Sequence, residues 1–137
     1  FEDNAIIPFA CAISGKYAYV NKPLYYYFQR EGSALNKIEY NDGYEAIFDS
    51  LSYLYDKFNK YDMIEKYAQE LEYIYIEYLL HASNLRFLKF NKLNNIKKVS
   101  IIMKEKYPNY RNNKYFKMEN IKYRIVCNLF YKNKKKL

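Results

Sequence analysis

Only 3 glycines and 3 prolines punctuate the 137 residues of this chain. So few turn-forming residues cannot supply the many reversals of a β-sandwich or barrel, and long helices are the expected alternative. The length suits one domain of ordinary size. Half of the residues are apolar, enough to bury a core and too many for an intrinsically disordered segment. No run of ~18 apolar residues is present, so no membrane-spanning helix is expected, and no secretory leader is legible. The chain opens Phe1-Glu2-Asp3 without an initiator methionine, which reads as a piece of a longer protein.

Hydrophobic spacing divides the chain. Residues 3–14 read as a short helix that Asp3 or Asn4 can cap, with Pro8 near its first turn and Gly15 in the left-handed position that ends it. Residues 17–21 and 23–29 are aromatic and β-favouring, and predict two short strands broken at Asn21-Lys22-Pro23. A turn at Arg30-Glu31-Gly32-Ser33 follows. From Tyr44 the period becomes helical: Tyr44, Ile47, Leu51, Leu54 and Phe58 share a face, after a start signal at Asn41-Asp42-Gly43. A longer helix is predicted over about 62–90, capped by Asp62, with Ile64, Ala68, Leu71, Ile74, Tyr78, Leu85 and Leu88 inward. A third covers about 95–107 (Ile96, Val99, Ile102, Met103) and stops at Pro108. A fourth covers about 118–131, with Ile121, Ile125 and Leu129 on one side and Lys122 and Arg124 off it. Amphipathic helices joined by short loops fold against one another. The expected fold is therefore mainly α: a short helix, a small strand pair, then a three- to four-helix bundle.

Charge is unevenly distributed. Residues 1–68 carry 7 basic and 10 acidic side chains, and residues 69–137 carry 16 and 5. A basic half of this kind suits phosphates, anionic lipid or nucleic acid, and says nothing of fold. The 19 tyrosines and 9 phenylalanines without a tryptophan, alongside abundant Lys, Asn and Ile, are what an AT-rich coding sequence produces. Cys11 and Cys127 stand far apart with no CxxC and no neighbouring histidine, which argues against a metal site and for a reducing compartment. His81, the single histidine, is flanked by Leu79, Leu80 and Ala82 and reads as a packing or surface residue. No Ser-His-Asp set, Walker loop, GxGxxG or DxD is present.

The first 36 residues are more specific. A Glu2-Asp3 pair opens a helix, and some twenty residues later comes Lys22-Pro23-Leu24-Tyr25-Tyr26-Tyr27, then Arg30-Glu31-Gly32-Ser33. This arrangement resembles the second half of the bacterial family 2 glycosyltransferases of the A-type fold, which build surface polysaccharides. The match covers about a quarter of the chain. It implies that residues 1–40 are the end of an α/β catalytic domain, the strand pair being its remnant, and that residues 41–137 are a helical C-terminal extension.

The implied chemistry is inverting transfer from a nucleotide-sugar donor to a glycan or lipid-linked acceptor. A carboxylate removes the proton of the acceptor hydroxyl as it attacks. By the resemblance that base is Asp3, with Glu2 supporting it. A helix N-terminus favours an ionised acid, although capping alone also accounts for Asp3. Arg30, with Ser33 beside it, is placed to hold the leaving diphosphate, or to pair with Glu31 or a neighbouring acid. Tyr25, Tyr26 and Tyr27 alternate across the predicted strand, so some would line a core and others, Tyr27 among them, the acceptor groove. The family's nucleotide-binding half and its metal-binding DxD, which would hold Mg or Mn, precede the Glu-Asp pair and lie outside this chain. The chain by itself is thus expected to be inactive and to hold no cofactor.

The basic end has three readings. Lys132, Lys134, Lys135 and Lys136 follow an amphipathic segment and could rest on anionic lipid, which suits an enzyme at the cytoplasmic face of a membrane. A solvated tail is the second reading. Nucleic acid is the third and is not expected, since no RNP motif, helix-turn-helix or zinc spacing is present. Exposed Ile6, Ile7 and Phe9 would favour a homodimer. The reading from a different class is a non-catalytic helical module that binds a partner protein or an anionic membrane through its basic half.

Overall fold

The computed structural model describes residues 1–28 and 39–132. The chain is mainly α-helical. Helix α1 spans Glu2–Ser14 and α2 spans Ala46–Lys60, entered through a 3-10 turn at Asp42–Glu45. A long central run joins α3 (Ala68–Ile74), a π-helical stretch (Tyr75–Ser83) and α4 (Asn84–Lys89). Then come α5 (Leu93–Lys106), a 3-10 turn at Tyr110–Asn112, α6 (Lys114–Met118) and α7 (Ile121–Lys132).

The ends of these helices follow from local chemistry. Asn41 accepts from the Gly43 amide at 2.8 Å, as its start signal predicts. Gly15 ends α1 at φ 64. Asp62, expected to begin the central helix, instead closes α2. It adopts φ 53, and the amides of Asp62 and Met63 bond back to the carbonyls of Asn59 and Phe58 at 3.1 and 2.9 Å. That is the left-handed closure that satisfies the last carbonyls of a helix. Asn91 closes α4 in the same way, at φ 54, with Lys92 N–H reaching the Phe87 carbonyl at 2.8 Å. Pro8 lies inside α1, beyond its first turn, so the Asn4 carbonyl has no amide partner one turn on. Phe1, not Asp3 or Asn4, holds the cap position of α1, and it makes no side-chain cap bond.

The core sits where α2, α5 and α7 pack on the π-helical stretch. Ile47, Leu51, Ile76, Leu79, Leu80, Phe87, Val99, Met103 and Cys127 are buried together. A smaller cluster of Leu54, Phe58 and Leu71 lies under α1. There Phe9 meets Phe58 edge-on at 5.5 Å, and the Tyr67 hydroxyl donates to the Ala12 carbonyl at 3.1 Å.

Two predicted faces differ from the observed ones. Along the central run Tyr78, Leu85 and Leu88 are exposed, and the buried line is Leu71, Tyr75, Ile76, Leu79, Leu80, Ser83, Asn84 and Phe87. An i→i+5 turn holds one residue more than an i→i+4 turn, so the inward stripe advances along the sequence away from the α-helical expectation. The Ser83 hydroxyl marks that spacing by donating to the Tyr78 carbonyl at 2.6 Å. In the last helix Ile121, Ile125 and Leu129 point outward, while Cys127 is buried and Tyr123, Phe130 and Tyr131 pack on the core. The chain also breaks at Glu119, which is extended (ψ 151), and Asn120 starts α7 afresh by accepting from the Tyr123 amide at 3.0 Å.

Residues 17–28 form no strand, and none occurs among the described residues. β-favouring side chains make a strand only where a second backbone pairs with the first. Among the described residues, the backbone hydrogen bond in this segment is the tight Lys22 to Val20 turn at 2.8 Å.

Asn113 is the densest polar tie. Fully buried, its side-chain oxygen caps α6 by accepting from the Tyr115 and Phe116 amides at 3.0 and 3.2 Å. Its amide nitrogen donates to the Gln69 carbonyl and to Glu72, both at 2.8 Å. Asn113→Ala removes the cap and strands the partners, and should cost roughly 2–4 kcal/mol in urea unfolding.

Burial pushes the phenols of Tyr75, Tyr107 and Tyr123 well above their ordinary value of 10.0. Neutral phenols held in the fold stabilise it below that pH, and the contribution is lost as pH climbs toward the folded values. A tyrosinate absorbance titration should therefore show an early exposed class and a late class that ionises only as helicity collapses.

Candidate functional site

Glu2 and Asp3 occupy the first turn of α1, and both are exposed. The amino terminus donates to Glu2 at 2.9 Å. That bond, with a hydrogen bond from the Glu2 backbone and the ammonium charge, holds the Glu2 carboxyl below its usual range. Among the described residues Asp3 makes no side-chain hydrogen bond or ion pair, and it is exposed in the first turn of the helix.

Tyr25, Tyr26 and Tyr27 were expected to divide between a core and a groove, and all three are exposed. Their fractional exposures are 81%, 97% and 60%, and among the described residues the Tyr25 and Tyr27 rings meet each other, at 6.4 Å between centres. Without a sheet there is no inner face for alternate residues to fill. Among the described residues no hydrogen bond, ion pair or ring contact joins Glu2 or Asp3 to Tyr27. Arg30 and Ser33 lie outside the described residues, as do Lys134, Lys135 and Lys136. A cavity of about 310 Å³ opens behind α1, lined by Pro8, Cys11, Ala12, Phe58, Tyr67 and Leu71 among others. The acid pair is not part of its wall.

The tertiary structure assembles a different constellation, a seam of acids and phenols where α3 and the π-helical stretch meet α6 and α7. Glu70 accepts from Tyr115 at 2.5 Å and from Lys114 at 3.0 Å. Tyr73 donates to Glu119, and Tyr123 donates to Glu77 at 2.6 Å. His81 lies tilted against Tyr123 with ring centres 4.1 Å apart, a packing role, and its Nδ1 is buried without a partner among the described residues. Burial and the adjoining carboxylates keep the phenols of Tyr73 and Tyr123 protonated. The phenols of the seam therefore donate their hydrogen bonds to its own acids. Sequence reasoning missed it, although Glu70, Tyr73 and Glu77 share one helical face at the i, i+3, i+7 spacing.

Both cysteines are free, Cys11 exposed and Cys127 buried, and burial pushes the Cys127 thiol up to about 12. Among the described residues no three His, Cys, Asp or Glu side chains come close enough together to hold a metal ion.

Burial opposes ionisation of Glu70, but the bonds from Tyr115 and Lys114 outweigh it and hold its carboxyl below the ordinary 4.5. A carboxyl depressed in the fold lends stability above its unfolded value and loses it as pH falls through the folded one. Glu70→Gln should thus be less stable than the parent at neutral pH, and the gap should close on acidification. Thermal melts across the carboxylate range measure it.

Compared with protein-family models, with curated proteins and with solved structures, the chain matches none. Among the described residues no helix is long and apolar enough to cross a membrane.

Proposed function

We propose that this chain is the C-terminal part of an inverting glycosyltransferase that moves a sugar from a nucleotide-sugar donor to a glycan or lipid-linked acceptor. The observation that carries the reading is the order of residues at the start of the chain: Glu2-Asp3, then Lys22-Pro23-Leu24-Tyr25-Tyr26-Tyr27, then Arg30-Glu31-Gly32-Ser33.

Two features of the described residues are compatible with it. Asp3 is exposed at a helix start, where an acceptor hydroxyl can reach it. Residues 17–28 present β-favouring aromatic side chains and a backbone with almost no internal bonds. Such a segment is chemically suited to being one strand of a larger sheet. Arg30 and Ser33 would meet the departing diphosphate, and Tyr27 would line the acceptor path. Donor binding and the divalent ion would belong to residues that precede this chain.

The test uses the full coding sequence that contains this chain, a panel of nucleotide sugars and Mg or Mn, with nucleotide release as the readout. Donor-dependent release that falls by about 10²–10⁴-fold in Asp3→Asn is the expected result. An active parent matched by Asp3→Asn would reduce Asp3 to a helix-start residue and overturn the assignment.

A further inference from the structure

The last helix is mounted with its apolar line facing out. Three contacts fix its rotation: Cys127 is fully buried in the core, Tyr123 bonds Glu77 at 2.6 Å, and the Tyr131 carbonyl accepts from Ser100 at 3.1 Å. On the opposite side Ile121, Ile125 and Leu129 follow one another at i, i+4 and i+8, exposed by 65%, 50% and 66%. Helix α7 contains Lys122, Arg124 and Lys132 and no acidic residue. Lys122 and Lys132 are exposed beside the apolar line. The nearest acid before the helix, Glu119, is engaged by Tyr73. In sequence, Lys134, Lys135 and Lys136 follow after Asn133.

We propose that this outward face of α7 is a docking surface for an anionic lipid bilayer, lying in the plane of the interface. Ile121, Ile125 and Leu129 enter the boundary between headgroups and acyl chains while Lys122 and Lys132 meet lipid phosphates. A cationic helix with an apolar stripe is the form that binds in this way. Charge decides against a second copy of the chain: pairing two such faces sets lysine against lysine in a protein of formal net charge +8. Size decides against a protein partner, because three aliphatic side chains fall well short of the roughly 800 Å² each partner gives to a standard interface. The inference needs no donor, acceptor or catalytic residue, so it stands apart from the sugar-transfer reading.

Co-sedimentation of the 137-residue chain with phosphatidylcholine vesicles, with and without phosphatidylglycerol, tests it. Binding should require the anionic lipid and weaken with salt. The variant Ile121→Ser/Ile125→Ser/Leu129→Ser, which changes only exposed positions and should keep its helicity, should partition about tenfold more weakly or worse. The chain has no tryptophan, so Ile125→Trp gives a single reporter whose emission should shift to the blue on anionic vesicles. Equal partitioning of the triple variant, an unshifted reporter or equal binding to neutral vesicles would each overturn the proposal. So would a dimer in light scattering that the triple variant dissolves, since a second copy would then cover the stripe.

Discussion

Burial of Ile76, Leu79 and Leu80 along one π-helical stretch is the constraint on which the rest of the fold depends. Helices α2, α5 and α7 all lie against it, so its register decides which face each of them must present. An i→i+5 turn is wider than an α-helical one and rarely persists. Here it persists across Tyr75–Ser83, with apolar side chains from three directions packed on it. It also leaves polar groups inside. The Asn84 amide reaches back to the Leu80 carbonyl at 2.9 Å, while its oxygen is buried without a partner.

The abundance of tyrosine has a physical consequence whatever its origin in coding bias. A tyrosine buries a ring and still carries a hydroxyl that must find an acceptor. In this fold the acceptor is often on a different helix. Tyr75 reaches the Leu51 carbonyl at 2.9 Å, Tyr110 reaches Asn128 at 2.6 Å, and the seam of Glu70, Glu77 and Glu119 takes three more. Cations lie over half-buried rings too, with Lys106 over Tyr55 at 3.8 Å and Lys92 over Tyr40 at 4.0 Å. At Tyr40 burial and a bond to Glu45 push the phenol up to about 12, and Asn95 joins the same carboxylate at 2.9 Å. That cluster ties the start of α2 to the start of α5.

Among the exposed apolar surfaces of the described residues, two differ plainly in chemistry. Residues 17–28 offer aromatic side chains on a backbone that makes, among the described residues, only the Lys22 to Val20 bond, so they suit another backbone. The face of α7 offers aliphatic side chains on a helix whose backbone is already satisfied, with cations alongside, so it suits a charged apolar boundary. On the sugar-transfer proposal the two surfaces would face different neighbours, one within the enzyme and one in the membrane.

The helical class, the helices near 46–60 and 93–106 with their inward residues, the start at Asn41 and the stop at Gly15 were all legible, because each rests on local periodicity or on the chemistry of one turn. So was the acid pair at the start of α1, which needs only a helix to place it. Other features were decided elsewhere. Asp62 and Asn91 take left-handed positions because the chain must reverse there to pack, which no neighbouring residue announces. The inward face of the central run follows from a wide turn stabilised by contacts from three other helices. The outward face of α7 follows from Cys127, Tyr123 and Tyr131 claiming the core first: periodicity shows that a helix has an apolar stripe, but only packing determines which stripe is covered. Local spacing therefore set which segments of this protein are helices, and tertiary contact decided their rotation and pairing, because burial is a property of neighbours that lie far away in the sequence.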